Sequence, residues 1–385
     1  VYVASAFVAG TDVFTTVFKS LSRETAMIIF AAIILVYTFL GGFKAVCWTD
    51  FFQGLLMIAA LLIVPIVVGF TRTLEPAALT TIYEGPNGEQ FQFVANFFNA
   101  SWQEIITGLG WGLGYFGMPH IIVRFMSTKN SKVLKKSATI GIVWVVLSLG
   151  AAIAFAILGR AFDPTRALVE TGKTDLIFIT LVGEIFNGPW VFIAGLLLSA
   201  IVAAAMSTAD SQLLVSASAF SNDIYKKIRK KASNNELMWI SRIVVIVIAV
   251  LAALLAMMGN PEAATAQKGK SFLDVVMSLV SFAWGGFGAT FGPLVLLALF
   301  WKRTNFAGAV AGMLVGGITT FVWKFYLSSF ASSYAIFGIY ELLPGFVLSF
   351  VTIVAVSLCT KAPSKEITDE FDAVENFKFS DLIKQ

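Results

Sequence analysis

Ten long runs of apolar residues constrain this chain more than any other feature of its sequence. Each run is close to the roughly 20 residues that a helix needs to cross the hydrocarbon core of a bilayer, and none alternates like the strands of a membrane barrel. The runs cover residues 1–17, 25–42, 46–70, 103–122, 138–161, 189–221, 237–258, 273–300, 305–326 and 339–360. The sequence therefore predicts an all-α membrane protein with about ten transmembrane helices.

The composition agrees with this fold class. Hydrophobic residues make up 58% of the 385 residues and charged residues 13%, whereas soluble domains carry about 25% charge. We expect residues 1–360 to form one transmembrane domain and residues 361–385 a charged, disordered or amphipathic tail. The run 189–221 is too long for one simple crossing, and residues 175–187 are expected to form a short helix at the membrane surface.

Basic residues are concentrated in two loops. Residues 123–137 contain five of them and no acidic residue, and residues 222–236 contain five against two acidic residues. The positive-inside rule places both loops in the cytoplasm, and alternation along the chain then places the C-terminal tail there as well. The net charge of +4 is explained by this rule and does not indicate nucleic acid as a partner.

Few residues could support catalysis or a transition-metal site. Cys47 and Cys359 form no CxxC pair and are expected near the cytoplasmic face, where thiols stay reduced. His120, the single histidine, provides too few ligands for zinc, and the sequence shows no serine or cysteine partner for it. The sequence does not predict an enzyme.

The segment Gly108–His120 has glycine at almost every second position. In a continuous helix, Trp111, Tyr115 and Pro119 would follow one another at i, i+4 and i+8 along one stripe. Small residues allow close packing of another helix, whereas amphipathic aromatics beside a helix-breaking proline suit a small binding pocket. The spacing alone leaves both interpretations open.

A second cluster lies in the run 189–221. Ala204, Ser207 and Thr208 stand at i, i+3 and i+4, so that one carbonyl and two hydroxyl oxygens can converge. Hard, neutral oxygens of this kind suit Na⁺, although hydroxyls in membrane helices commonly bond the carbonyl four residues back. Asp210 in the same stretch favours a functional site, because acids inside a membrane are costly.

Asp50 is a third candidate. On the predicted topology it lies in the cytoplasmic half of its helix, at the depth of Ser207 and Thr208, so these groups could meet. Alternatively, Asp50 is a helix-end carboxylate that reaches water.

Five segments in the same order resemble the sodium:solute symporter family, and within it the branch that carries proline. They read GGFKAVCWTDFFQG, GWGLGYFGMPHIIVRFM, MSTADSQLLVSASAFSNDIYKK, SFAWGGFGATFGP and KAPS. The resemblance implies a LeuT-like fold of two inverted five-helix repeats with broken helices. It also implies that Val1 lies in the fourth of thirteen helices, so that we expect the first three to be absent from this chain.

The resemblance further implies what the candidate residues do. The sodium ligands would be Ala204, Ser207 and Thr208, with Asp50 binding or coupling sodium, and the substrate residues would be Trp111, Tyr115 and Pro119. Asp210 has no assigned role. The implied activity is uptake of L-proline coupled to Na⁺ across a bacterial inner membrane. Another small solute of the family, such as pantothenate, a sugar or a carboxylate, stays an alternative, as does a channel.

Overall fold

The computed structural model describes residues 1–84, 90–92, 100–162, 176–258 and 272–375. Residues 376–385 of the predicted tail lie outside these ranges. The α-helices are α1 Tyr2–Val17, α2 Arg23–Thr71, α3 Ala77–Thr80, α4 Trp102–Trp111, α5 Pro119–Met126, α6 Ser131–Phe162, α7 Ile177–Ile185, α8 Val191–Ser218, α9 Lys226–Ile228, α10 Asn234–Met258, α11 Phe272–Phe300, α12 Phe306–Phe325, α13 Leu342–Cys359 and α14 Lys365–Glu375.

Shorter elements complete the fold. Single 3₁₀ segments cover Gly112–Gly117, Gly188–Trp190, Leu327–Phe330 and Ala335–Gly338, and a π-helical turn covers Ala219–Tyr225. Two short strands, β1 Ile82–Glu84 and β2 Gln90–Gln92, pair antiparallel with residue 83 opposite residue 91.

Among the described residues, seven helices are long and apolar enough to cross a membrane. They include α2, which has 49 residues and would measure about 74 Å if straight, more than twice the thickness of the hydrocarbon core. The predicted runs 25–42 and 46–70 both lie in α2, the run 1–17 is the shorter helix α1, and the run 103–122 is broken. Each of the ten predicted runs is helical over most of its length.

Gly42 divides α2 into two arms. Its backbone has φ 61° and ψ −166°, a region that is open almost only to glycine. The arms, residues 23–41 and 43–71, would measure about 28 Å and about 43 Å, so each is long enough to cross a bilayer by itself. The break lies at the boundary between the two predicted runs.

Contacts between Cα atoms group the chain into two compact units. The first comprises Val1–Phe97 and Ser137–Val280, and the second comprises Phe98–Lys136 and Ser281–Gln385.

In the first unit, α8 takes part in two apolar clusters. Its C-terminal half contributes Ala209 and Leu213 to a cluster with α1, the first arm of α2 and α10. Its N-terminal half contributes Ala194 and Leu197 to a cluster with the second arm of α2, α6 and α7. Helix α8 passes from one cluster to the other between Ala200 and Ala205, so the polar residues 207–211 lie in the part of α8 that packs in the first cluster.

In the second unit, α12 and α13 pack closely along three glycines. A β-carbon at Gly308, Gly312 or Gly316 would collide with residues 349–357 of α13 or, at Gly316, also with Ala289 of α11. Helices approach this closely in membranes where small residues repeat every four positions.

The structure makes three sequence predictions more precise. The short helix predicted at 175–187 is α7, and its Leu181 and Val182 are buried in the second apolar cluster, while its position at the membrane surface stays a prediction. The run 189–221 continues as helix and π-helical turn to Ile228. Part of the tail is the helix α14, in which Asp372 pairs with Lys302.

Replacement of Gly42 by alanine should destabilise the fold. The β-carbon would meet no atom within 4 Å, so the cost is the backbone conformation, about 1–3 kcal/mol. Gly54→Ala is the matched control, because Gly54 lies in the same helix with equally open surroundings, and alanine favours helix over glycine by about 1 kcal/mol. Thermal unfolding in detergent should show a lower midpoint for Gly42→Ala only. Equal midpoints for the two variants would contradict the break at Gly42.

Candidate functional site

The three predicted sodium ligands converge on one face of α8. The hydroxyl of Ser207 donates to the carbonyl oxygen of Ala204 at 3.1 Å, and the hydroxyl of Thr208 donates to the same oxygen at 3.0 Å. Both side chains are partly exposed. Three hard oxygens are thus grouped in the first unit, as the i, i+3, i+4 spacing predicted.

This arrangement is also the ordinary local bonding of hydroxyls in a helix. Each hydroxyl oxygen has two lone pairs besides the proton that it donates, so both oxygens can still face a cation. The carbonyl of Ala204 can bind one only if the hydroxyls turn away from it.

Asp50, on the second arm of α2, reaches α8 at Ser211. The Ser211 hydroxyl lies 3.3 Å from Oδ2 of Asp50 and 3.2 Å from Oδ1 of Asp210. Ser211 lies one turn beyond Ser207, so the expected proximity of Asp50 to this part of α8 is observed one turn further along the helix. Asp50 is a partly buried residue that bonds another helix.

Asp210 is fully buried and bonds the first arm of α2. Tyr37 donates its hydroxyl hydrogen to Oδ2 of Asp210 at 2.8 Å, and its oxygen also lies 3.3 Å from the carbonyl oxygen of Met206. Tyr37 was not predicted, since a tyrosine near the end of an apolar run also suits the membrane interface. Its spacing relative to Asp50 carries no signal unless the break at Gly42 is known.

The second unit contains the three predicted substrate residues, but the helix that was expected to align them is broken. Helix α4 ends at Trp111, a 3₁₀ segment follows, and Pro119 is the first residue of α5. Trp111, Tyr115 and Pro119 therefore do not form a continuous α-helical stripe. The prediction failed because alternating glycines lower helix stability, and because the residue before a proline avoids the helical conformation: Met118 is extended.

Trp111 and Tyr115 instead belong to an aromatic cluster with Trp284 and Tyr340. The ring of Trp111 stacks on Trp284 at 5.9 Å and on Tyr340 at 5.4 Å between centroids. Tyr115 meets Trp284 edge to face at 4.8 Å, and Trp284 Nε1 donates to the carbonyl of Trp111 at 2.9 Å. Tyr115 is 51% exposed, so one side of the cluster is accessible.

Glycines make this cluster possible. A β-carbon at Gly114 would collide with the indole of Trp284, and one at Gly117 would collide with the backbone of α11 at Phe287. The packing interpretation is therefore correct for Gly110, Gly114 and Gly117, but not for Gly108 and Gly112, where a β-carbon would meet no atom within 4 Å. Close packing at the glycines does not exclude a binding role for the aromatic side chains, because the packing involves the backbone and one side of the aromatic cluster is accessible. Pro119 is partly buried and lies outside the stacked rings.

Comparison with known proteins identifies what kind of chain this is. The sequence profile of the sodium:solute symporter family matches residues 1–316. The chain is 41% identical over 380 residues to the sodium/proline symporter of Escherichia coli (strain K12), covering 96% of this chain and 69% of that protein. It is 40% identical over 374 residues to the high-affinity proline transporter PutP of Bacillus subtilis (strain 168), covering 96% of this chain and 72% of that protein.

A solved structure shares the fold. It is the substrate-bound outward-open state of a Na⁺-coupled sialic acid symporter, with a TM-score of 0.66 and 21% identity, covering 94% of this chain and 74% of that one. The likeness confirms the all-α, LeuT-like transporter fold that was expected. From the family profile and the extended identity to its members, the chain belongs to the sodium:solute symporter family.

Proposed function

We propose that the protein is a secondary active transporter that carries L-proline into the cell together with Na⁺. The observation that carries the proposal is the convergence of Ala204, Ser207 and Thr208 on α8 in a chain about 40% identical to proteins named sodium/proline symporters. The sodium ion is cargo and coupling ion, and no covalent bond changes, so the protein is not an enzyme. Its place is the bacterial plasma membrane, with the C-terminus in the cytoplasm.

The sodium site is assigned to the carbonyl of Ala204, the hydroxyls of Ser207 and Thr208, and the carboxylate of Asp50. Neutral oxygens bind Na⁺ without holding it too tightly for release, and a single partly buried carboxylate adds charge. Coupling requires that sodium bind the outward-open and inward-open states unequally. Sodium then favours the state in which the proline site is formed.

The proline site is assigned to Trp111, Tyr115 and Pro119. Stacked aromatic faces can cover the apolar pyrrolidine ring, and they can also attract its cationic ammonium group. The partly exposed rings of the cluster in the second unit supply such faces. The other solutes of the family, and the sialic acid named for the structural relative, are alternatives that competition can distinguish.

The proposal predicts sodium-driven proline uptake. Membrane vesicles containing the protein should accumulate labelled L-proline when an inward sodium gradient is imposed, and an ionophore that collapses the gradient should abolish accumulation. Unlabelled proline should compete, whereas pantothenate, glucose and sialic acid should not. Sodium-driven uptake of one of these competitors would replace proline as the substrate. Flux far above the turnover of a transporter would indicate a channel.

Thr208→Val should raise the sodium concentration that gives half-maximal uptake. Valine keeps the shape of threonine but removes one oxygen ligand, and a bond to a charged group is worth about 1.5–3 kcal/mol, so the increase should be on the order of 10-fold or more. Thr352→Val is the matched control, because Thr352 also bonds the carbonyl four residues back, at 2.7 Å, but lies on α13. An unchanged sodium dependence of Thr208→Val would remove Thr208 from the site.

Trp111→Phe and Tyr115→Ala should weaken proline binding more than sodium binding. Each change removes aromatic surface from the cluster, and stacking between aromatic groups is worth about 0.5–1.5 kcal/mol, which corresponds to a loss of up to about 10-fold in proline affinity. Tyr334→Ala is the control, because Tyr334 is 63% exposed and contacts Phe337 instead. Isothermal titration with proline at saturating sodium would measure the effect. Unaltered proline affinity in both variants would leave the cluster with a packing role only.

A further inference from the structure

A chain of hydrogen bonds joins both arms of α2 to two consecutive residues of α8. Tyr37 on the first arm bonds Asp210 at 2.8 Å, and Asp50 on the second arm lies 3.3 Å from the Ser211 hydroxyl. The same hydroxyl lies 3.2 Å from Asp210. The hydrogen-bonded groups therefore follow one another in the order Tyr37, Asp210, Ser211 and Asp50.

The hydroxyl of Ser211 can donate a hydrogen bond to only one of the two carboxylates at a time. A hydroxyl group has a single proton to donate, and the two carboxylates are almost equally distant from the Ser211 oxygen. The group that decides between them is the one that supplies Asp210 with another donor. In this structure that donor is the hydroxyl of Tyr37.

We propose that Tyr37 is a positioning residue for the sodium site, which directs the Ser211 hydroxyl toward Asp50. Tyr37 donates a hydrogen bond to the fully buried carboxylate of Asp210. The hydroxyl of Ser211 can then donate its proton to Asp50. The carboxylate of Asp50 is then held in one orientation toward α8. The inference rests on the proposed function, because the site that it concerns is the proposed sodium site.

The break at Gly42 is what allows this arrangement. Asp50 follows Tyr37 by thirteen positions, so in a straight helix the two residues would lie about 20 Å apart along the axis and roughly 140° apart around it. Their partners are adjacent in sequence, with Cα atoms about 3.8 Å apart. Both side chains can reach neighbouring positions of α8 only because α2 changes direction at Gly42.

A purely structural role for Tyr37 makes a different prediction. As a tether, Tyr37 would contribute to the stability of the first unit, and its loss would lower the unfolding temperature without altering sodium binding. As a positioning residue, it would alter sodium dependence only while Asp210 is present to compete for the proton of Ser211.

The test is a double-mutant cycle of Tyr37→Phe and Asp210→Ala, read out as the sodium concentration for half-maximal proline uptake. Tyr37→Phe removes one oxygen atom and should raise this concentration roughly fivefold or more. In the Asp210→Ala background the same change should have almost no further effect, because the Ser211 hydroxyl can then donate to Asp50 without competition from Asp210. Equal effects in both backgrounds, or none in either, would overturn the inference.

Tyr225→Phe is the matched control. Tyr225 also donates to a carboxylate, Oε1 of Glu236 at 2.6 Å, but it lies in the π-helical turn after α8. Its sodium dependence should equal that of the parent protein. An increase similar to that of Tyr37→Phe would mean that loss of any tyrosine hydroxyl bonded to a carboxylate perturbs the unit, and would overturn the positioning role.

A second readout separates this inference from the proposed function. Cys47 is exposed and precedes Asp50 by three residues, so in the Cys359→Ser background its alkylation should slow as sodium binds, whatever the solute is. Tyr37→Phe should shift this sodium dependence as it shifts uptake. If the parent protein is protected by sodium but carries no proline, the solute assignment fails and the inference stands. If sodium gives no protection and no uptake, the proposed sodium site and the inference both fail.

Discussion

Irregular backbone is costly inside a bilayer, and several of the candidate site residues lie near a break in a helix. In hydrocarbon an unsatisfied backbone group costs several kcal/mol, so irregular backbone persists there only where protein or a water-filled cavity surrounds it. The described residues contain a break at Gly42, between two arms that are each long enough to cross the bilayer, and an irregular segment at residues 112–118, inside a predicted apolar run. Asp50 follows the first, and Trp111, Tyr115 and Pro119 surround the second. In each unit the interruption is what presents polar or aromatic groups that a regular helix would hold in other directions.

The two interruptions are stabilised by different means. At Gly42 the arms of α2 are held to α8 by partly buried hydrogen bonds and by two apolar clusters, one for each arm. At residues 112–117 the backbone is covered by α11 and the ring of its residue Trp284, and the glycines remove the volume that would prevent this contact. Hydrogen bonds fix the direction in which a side chain points, whereas packed aromatic rings fix the distance between two surfaces. A sodium site requires oxygens that point toward the ion, and a site for a small apolar ring requires surfaces at a fixed spacing.

The sequence was sufficient for the features that depend on local composition. Apolar runs located the helices, and the i, i+3, i+4 spacing located the oxygens of Ala204, Ser207 and Thr208, because both follow from the geometry of one regular helix. The features that failed or were missed depend on where helices stop being regular. The stripe of Trp111, Tyr115 and Pro119 assumed a continuous helix, and the partnership of Tyr37 with Asp210 requires a turn at Gly42 that a glycine pair in an apolar run only suggests. Trp284 and Tyr340 were missed because contacts across long separations in sequence leave no periodic pattern.

The bonding of Ala204 is compatible with the proposed sodium site. Its carbonyl accepts two hydroxyl hydrogens in addition to its place in the helix ladder, so the three oxygens are held together without a cation. Each neutral bond of this kind contributes only about 0.5–1.5 kcal/mol net, which an ion can replace by turning the hydroxyls. Oxygens that were not held together would have to be ordered whenever sodium binds, and binding would then carry that entropic cost. Local bonding that resembles the ordinary behaviour of serine and threonine in helices is therefore compatible with a binding role, since these bonds keep the three oxygens grouped.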